Sequence, residues 1–251
     1  ETNVYTALSG QVAVAKQIDL VANNIANVNT TGFKAERPLF EKALAKENAL
    51  LSSSLKKDVT NPNPFATQDF AAIKGSYADL SQGPTQSTGN PLDAAIEGKG
   101  FFVIQTPDGE RYTRAGNFKL DATHRIVTQD NLPVQGSGGD IILQPGAIVT
   151  VTEDGTVNVD GKPNGKFRIV DLDPKNIQRE TGQRFSSSAG ATEVTAPRVV
   201  GGALEGSNVN AVKELADMIL SSRLYEGIKN SQDSESHLDS LRNEKLGSSQ
   251  G

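Results

Sequence analysis

The sequence predicts an α+β protein in which two long terminal helices flank a central antiparallel β region. Apolar residues recur at heptad spacing near the N-terminus, and a second helical stripe lies near the C-terminus. Between them, short apolar runs alternate with Pro, Gly and Asp turn signals roughly every ten residues. We expect the helices to pair as a coiled-coil-like core domain and the strands to form a sandwich or barrel-like domain. The predicted segments are 1–34 (N-terminal helix), 35–85 (extended connector), 86–206 (β domain) and 207–251 (C-terminal helix).

The first helix is predicted over residues 3–31 and has little charge, since only Lys16 and Asp19 are ionised between residues 2 and 33. A long helix with so few charges needs a partner to cover it. Gln11 alone interrupts the heptad stripe, which comprises Val4, Ala7, Val14, Ile18, Val21, Ile25 and Val28.

The end of this helix is rich in asparagine, although Asn is a poor helix former. Gly32 can close the helix in a left-handed conformation, and a helix end tolerates Asn, which is one explanation of Asn29. For Asn23 and Asn27, one turn apart on a single face, we favour amide hydrogen bonds to neighbouring chains.

The connector cannot simply continue the first helix because Pro38 interrupts it. Residues 34–58 are charged and rich in Ala and Leu, which fits either a short helix or an extended arm. Residues 59–92 contain four prolines and predict an extended connector with two short strands at most.

The β domain is predicted from short apolar runs separated by turns such as Pro107-Asp108-Gly109, Asp154-Gly155 and Asp160-Gly161. We expect residues 174–206 to be irregular. The predicted strands are 94–96, 101–105, 111–114, 118–120, 126–128, 141–143, 148–151, 157–159 and 167–172.

The C-terminal helix begins near Asn208 or Asn210, either of which can cap it. Beyond Ile228 the pattern weakens through the polar residues 231–237, and we expect disorder from Gly247. We expect the helix to pair antiparallel with the first one, and the flanks of both helices to pack against other subunits. Its apolar stripe comprises Val212, Leu215, Ile219, Leu224 and Ile228.

Composition argues against several classes of function. The net charge of −5 and the lack of a basic cluster argue against nucleic acid as a partner. The chain contains no cysteine and no apolar run of membrane-spanning length, so we expect neither disulfides nor membrane insertion. The N-terminus lacks a basic region followed by an apolar one, so we expect no cleavable signal peptide.

No catalytic, metal or cofactor motif emerges. The two histidines, His124 and His237, are far apart, and no G-x-S-x-G sequence occurs. Gly98-Lys99-Gly100 lacks the remaining residues of a phosphate-binding loop, and we interpret it as a tight hairpin. We therefore expect no enzyme activity, no cofactor, no metal and no small-molecule substrate.

Three blocks resemble the axial proteins of the bacterial flagellum, in particular the basal-body rod proteins. Together they cover the chain in the family's order. The blocks are Ala7-Leu8-Ser9-Gly10-Gln11 with residues 22–34, residues 87–102 with 112–118, and residues 205–210 with Glu214, Leu215, Met218, Ile219 and 223–226.

The resemblance implies a structural subunit that polymerises helically, with the terminal helices around a central channel and the β domains outside. Chain length and the single β domain look most like the proximal-rod F type, with the distal-rod G type as the alternative. Such subunits leave the cell unfolded through the flagellar type III channel without cleavage and reside in the periplasm-spanning basal body. Their ends order on assembly. Implied partners are further copies, other proximal and distal rod proteins, the export-gate or MS-ring side, and hook-side axial proteins.

For assembly we select two groups of residues. The stripe Val14, Ile18, Val21, Ile25 and Val28 is expected to face Leu215, Ile219, Leu224 and Ile228. Amides expected to set the register between subunits are Asn23, Asn24, Asn27, Asn208 and Asn210. Two other classes of function stay open: a secreted adhesin-like binding module, and a hydrolase of unrecognised type.

Overall fold

The computed structural model describes residues 2–43 and 70–248 and has two terminal helices around an antiparallel β-rich region, as predicted. Helix α1 spans Thr2–Ala26 and helix α2 spans Ala211–Ser248. The described strands are β1 Glu36–Ala43, β2 Phe70–Ala78, β3 Thr85–Ser87, β4 Ala94–Glu97, β5 Phe101–Thr106, β6 Gly109–Thr113, β7 Lys119–Leu120, β8 Ile126–Val127, β9 Gln135–Gly136, β10 Gly139–Asp140, β11 Val149–Val151, β12 Thr156–Val159, β13 Lys162–Lys166, β14 Ile169–Asp171, β15 Ile177–Glu180, β16 Arg184–Ser187, β17 Thr192–Glu193, β18 Arg198–Gly201 and β19 Ala203–Glu205.

Both helices end at positions that differ from the sequence-based expectation. Helix α1 stops at Ala26, and the next residues form turns in which the Thr30 amide donates to the Asn27 carbonyl. Gly32 is left-handed, with φ of 67°, so the expectation that it takes this conformation is confirmed, but it follows these turns rather than the helix itself. Helix α2 continues through the polar residues 231–237 and past Gly247.

The chain divides into two compact units. Unit 1 comprises residues 1–23, 37–77 and 212–251, and therefore contains most of α1, most of β1 and β2, and nearly all of α2. Strands β1 and β2 pair with each other in a two-stranded sheet. Part of the predicted connector is therefore paired strand, while residues 44–69 lie outside the described residues.

Unit 2 comprises residues 24–36 and 78–211. Its largest sheet has six strands in the order β15-β16-β6-β5-β14-β17. Strands β5 and β6 form a hairpin in which Thr106 faces Gly109, so the turn predicted at Pro107-Asp108-Gly109 is confirmed. The other strands pair as β11-β12-β13, β18-β4, β19-β3, β7-β8 and β9-β10.

Apolar side chains cover both faces of β5. Phe102 points into one buried cluster, where its ring meets those of Phe118 and Phe167 edge-on at 5.1 and 5.4 Å. Phe101 points into a second cluster and meets the Phe185 ring at 5.5 Å. Burying one such ring contributes about 1.5–3 kcal/mol, so β5 is central to the stability of unit 2. The described strands do not close into a barrel.

Three local expectations were wrong. Residues 141–143 contribute only a single bridge, between Arg125 and Ile142. Residues 174–206, expected to be irregular, contain β15 to β19, whose largely polar sequences lack the apolar alternation that predicts strands. Gly98-Lys99-Gly100 joins β4 to β5, but these strands pair with β18 and β6 respectively and therefore form no hairpin with each other.

Candidate assembly site

From Val14 to Val28, where the burial of its side chains is described, the predicted stripe of α1 lies on the buried side. In unit 1, Val14 and Val21 are buried and Ile18 is half-buried. In unit 2, Ile25 is half-buried, and Val28 packs against a small cluster of Phe33, Ala35 and Val209. The heptad spacing therefore identified the correct face of this helix.

Apart from Ile228, the buried side of α2 is formed by residues outside the predicted apolar stripe. Glu214 and Ser221 are buried, and Met218, Tyr225 and Ile228 are half-buried at the same heptad spacing. Arg37 donates from Nη1 to Glu214 Oε1 at 2.6 Å. A Cβ atom at Gly10 would lie 3.8 Å from Ile228 Cδ1, so α1 and α2 approach each other at this small residue.

Five other large apolar residues of α2 point away from that buried side. We call this set the outer stripe, and its members are between 49% and 79% exposed in the described structure. Leu215, Ile219 and Leu224 are therefore not buried against α1 within the chain, and the role expected for them between subunits stays a prediction. Hydropathy selects the most apolar face, whereas the face that is buried contains a charged and a hydroxyl residue. The outer stripe comprises Val212, Leu215, Ile219, Leu220 and Leu224.

Asn24 is buried and bonds within the chain. Its Oδ1 accepts the Glu36 backbone N–H at 2.8 Å, and its Nδ2 donates to the Glu36 carbonyl at 2.9 Å. One amide thereby bonds to both backbone groups of Glu36, which holds this residue against the end of α1.

Asn208 makes a similar set of bonds. Its Oδ1 accepts the Ala35 N–H at 2.7 Å, and its Nδ2 donates to the carbonyls of Asp79 and Ser81 at 2.8 and 3.0 Å. The cap position of α2 falls instead to Asn210, which directly precedes the helix.

Among the other predicted asparagines, Asn27 accepts the Thr30 hydroxyl at 3.2 Å and is half-buried. Asn23 and Asn210 are exposed. The inter-subunit role expected for all five asparagines stays a prediction, and for Asn24 and Asn208 the amides already have partners inside the chain.

Unit 2 contains a buried charge cluster that the sequence analysis missed. Lys34, Arg114 and Glu205 are each at most 3% exposed. Lys34 Nζ donates to Glu205 Oε1 at 2.6 Å, and Arg114 Nη1 donates to Glu205 Oε2 at 3.1 Å. Burial lowers the pKa of the Lys34 ammonium, and the attraction of Glu205 only partly offsets this. The sequence did contain one indication of this cluster, because each of the three blocks that resemble the rod proteins contributes one of its residues.

A third cation, Arg179 of β15, contacts the same region. The Arg179 guanidinium lies 4.0 Å from the Phe33 ring centre, a cation–π distance. It donates to the Lys34 carbonyl and to Glu36 Oε1, both at 3.0 Å. Residues 33–36 are therefore fixed to the sheet by both an aromatic and an ionic contact.

Within residues 2–43 and 70–248, His, Asp and Glu side chains form no group of three or more that could hold a metal ion. In the same part of the chain, no helix is long and apolar enough to cross a membrane.

Three segments of the chain match known families. Residues 4–34 match the flagella basal body rod protein family. Residues 95–159 match the flagellar hook protein FlgE/F/G D1 domain, and residues 200–227 match the flagellar basal body rod FlgEFG protein C-terminal region.

Similar proteins align over most of this length. The flagellar basal-body rod protein FlgF of Caulobacter vibrioides is 34% identical over 249 residues, 97% of each chain. FlgF of Escherichia coli is 32% identical over 89% of each chain. The flagellar basal-body rod protein FlgG of Caulobacter vibrioides is 34% identical over 88% of this chain and 90% of that protein.

Proposed function

This chain belongs to the family of flagellar basal-body rod proteins, and from that premise we propose that it is a structural subunit of the proximal rod. The observation that carries the proposal is 34% identity to a FlgF rod protein along 97% of both chains. The family is structural, so the chain is not an enzyme. It is located in the flagellar basal body and assembles with other rod and axial proteins.

The exposed outer stripe supports assembly through α2. Five large apolar side chains on this helix are between 49% and 79% exposed in the isolated chain. Apolar surface of this extent is unfavourable in water and typically marks a protein contact. In a helical polymer, the terminal helices of neighbouring subunits would cover it.

We assign the chain to the FlgF type, with the FlgG type as the alternative. FlgF proteins of Caulobacter vibrioides and Escherichia coli support the first assignment. The alternative is supported by FlgG of Caulobacter vibrioides, which reaches the same 34% identity over a slightly smaller part of this chain.

Within unit 1 we propose that α1 and α2 pair antiparallel, as in a coiled coil. Val14 and Val21 recur at heptad spacing on the buried side of α1, and Glu214, Ser221 and Ile228 do so on α2. The close approach of Gly10 to Ile228 is one point of contact between these faces. Many such lateral contacts would give the rod its stiffness against bending and twisting.

The route to the basal body is also proposed from the family. We propose that the chain passes unfolded through the flagellar type III channel and folds in the periplasm-spanning rod. Its neighbours would be further copies, distal rod proteins, and the axial proteins on the MS-ring and hook sides.

Deleting the gene and imaging purified basal bodies tests the proposal. We expect rods that stop short of the hook, and restoration when the full-length chain is supplied. Complete rods in the deletion strain would contradict a rod function and favour a secreted binding module. Density for the chain in the proximal or distal layer distinguishes the FlgF from the FlgG type.

A further inference from the structure

Residues 198–209, near the end of the β region, contact parts of unit 2 that are distant in sequence. We call them the closing segment. It includes β18 and β19, which pair with β4 and β3 respectively. Strands β3 and β4 precede it by about one hundred residues, so neither can form its strand ladder before the closing segment is present.

The closing segment also holds the chain that leads from α1 into β1. The Gly32 N–H donates to the Glu205 carbonyl at 2.7 Å, and the Ala35 N–H donates to Asn208 Oδ1 at 2.7 Å. Gly206 in turn donates its N–H to the Pro84 carbonyl at 2.8 Å. Together with β3 and β4, residues 32–35 and Pro84 therefore obtain hydrogen-bond partners from this one segment.

The carboxylate of Glu205 is the centre of these contacts. It accepts from Lys34, which is 171 residues away, from the Gly83 N–H, 122 residues away, and from Arg114, 91 residues away. All three charged side chains are buried.

Without Glu205, the same site would hold two buried cations and no paired anion. Lys34 and Arg114 repel one another, and burial disfavours the charged form of each. Asp79 and Asp171 also favour the charged forms, but they act more weakly than Glu205. Burying two unpaired like charges is strongly unfavourable, so the site is stable only when its anion is in place.

We propose that the closing segment controls completion of unit 2: β3, β4 and residues 32–35 become ordered only when Glu205 pairs with the two buried cations. A chain that emerges N-terminus first would then keep this part of unit 2 open until about residue 209 is available. The closed state forms in one step because the charge pairing and the strand pairing depend on each other. This inference stands whether or not the chain is a rod subunit.

Refolding of the full-length chain, followed by pulsed hydrogen exchange and mass spectrometry, tests the inference. We expect β3, β4 and residues 32–35 to gain protection in the same phase as the closing segment. The β5–β6 hairpin, whose contacts are local, should be protected earlier. Protection of β3 and β4 before the closing segment would overturn the proposal.

Glu205→Gln tests the role of charge with little change of shape. We expect the closing phase to slow by about tenfold or more, or to disappear, while the β5–β6 hairpin forms normally. Glu193→Gln is the matched control, since Glu193 pairs with Arg168 on the exposed surface, and its closing rate should stay at the wild-type value.

A second variant keeps the test decisive if Glu205→Gln fails to fold. Lys34→Met combined with Glu205→Gln restores the wild-type net charge of the cluster by removing one cation with the anion. We expect the double variant to close faster than Glu205→Gln alone and to recover protection in β3 and β4. A double variant that is no better than the single one would contradict the charge mechanism.

Discussion

Arg37 and Glu214 form an ion pair of 2.6 Å that fixes which side of α2 is buried. The Glu214 side chain is fully buried, whereas that of Arg37 is 24% exposed. Because Glu214 occupies the buried side of the first turn of α2, the apolar residues Leu215 and Ile219 are directed outward. A charged residue facing inward thus leaves an apolar surface available to another subunit.

Removing the cation of this pair should weaken unit 1. We expect Arg37→Gln to lower the free energy of unfolding by about 1–3 kcal/mol, because a buried carboxylate loses a charged hydrogen-bond donor. Hydrogen exchange of the α2 amides measures this value for unit 1 separately from unit 2.

The control for this prediction is Arg198→Gln. Arg198 pairs with Glu97 at 3.3 Å, but 73% of its side chain is exposed. We expect a change below about 0.5 kcal/mol. Equal effects of the two substitutions would show that burial of Glu214 does not strengthen its pair.

The terminal helices and the apolar strands of the central region, such as β5 and β12, could be predicted from periodicity and turn signals, whereas β15 to β19 could not. The buried face of α1 followed from Val14 and Val21, because apolar residues mark it. The buried face of α2 did not, because Glu214 and Ser221 lie there and hydropathy assigns such residues to the surface.

The partners of long-range ion pairs and hydrogen bonds could not be predicted from the sequence either. Nothing local relates Lys34 to Glu205, and the amide of Asn208 bonds to Ala35, which is 173 residues away. Amide-rich segments indicated hydrogen bonding, but not whether the partner lies in the same chain. Only the folded backbone determines that.

Asn24 should stabilise unit 2 through its two bonds to Glu36. We expect Asn24→Ala to lower the free energy of unfolding by about 1–3 kcal/mol, since both backbone groups of Glu36 lose a partner. Asn29→Ala, at an exposed position nearby, should change it by less than about 0.5 kcal/mol. Urea unfolding of both variants measures the difference, and a cost for Asn24→Ala as small as for Asn29→Ala would contradict the structural role.

Gly32 combines a left-handed backbone with a close approach. Its φ is 67°, and an added Cβ would lie 2.4 Å from the Ala115 backbone nitrogen. We expect Gly32→Ala to destabilise unit 2 by about 3 kcal/mol or more, because strain and steric overlap add.

A comparison with Gly89 distinguishes the backbone strain from the steric overlap. Its φ of 72° is similar, but an added Cβ would meet no atom within 4 Å. Gly89→Ala should therefore cost only about 1 kcal/mol. Thermal unfolding of both variants makes the comparison, and equal losses would argue against a close approach at Gly32.

Because the pKa of the Asp121 carboxyl is lowered in the folded protein, we expect the protein to lose stability in acid. The Thr123 hydroxyl donates to Asp121 Oδ1 at 2.7 Å, and this bond, with others from Thr123 and Arg125, holds the pKa of the carboxyl well below its usual range. The folded state thus keeps the charge to a lower pH than the unfolded state. The stability that Asp121 contributes is present above its ordinary pKa and is lost as the pH falls through the folded value.

The variant Thr123→Val tests whether the Asp121 carboxylate loses its stabilising effect as the pH falls. Removing the hydroxyl raises the folded pKa towards the unfolded one, so the variant should lose stability less steeply than the wild type below about pH 4. Unfolding free energies measured over a pH series give the slopes. Identical slopes would show that the Thr123 hydroxyl does not set the pKa of Asp121.

Assembly through the outer stripe is tested by replacing Leu215 and Ile219 together with Gln. Both side chains are about half exposed, at 49% and 54%, so the isolated chain should keep its wild-type unfolding free energy within about 1 kcal/mol. Ile148→Gln, at a position in unit 2 that is 72% exposed, serves as the control.

The decisive measurement is rod completion in basal bodies from a deletion strain supplied with each variant. The Ile148→Gln chain should restore complete rods, whereas the Leu215→Gln/Ile219→Gln chain should leave them incomplete despite its normal stability. Complete rods with the outer-stripe variant would contradict the claim that neighbouring subunits cover this surface.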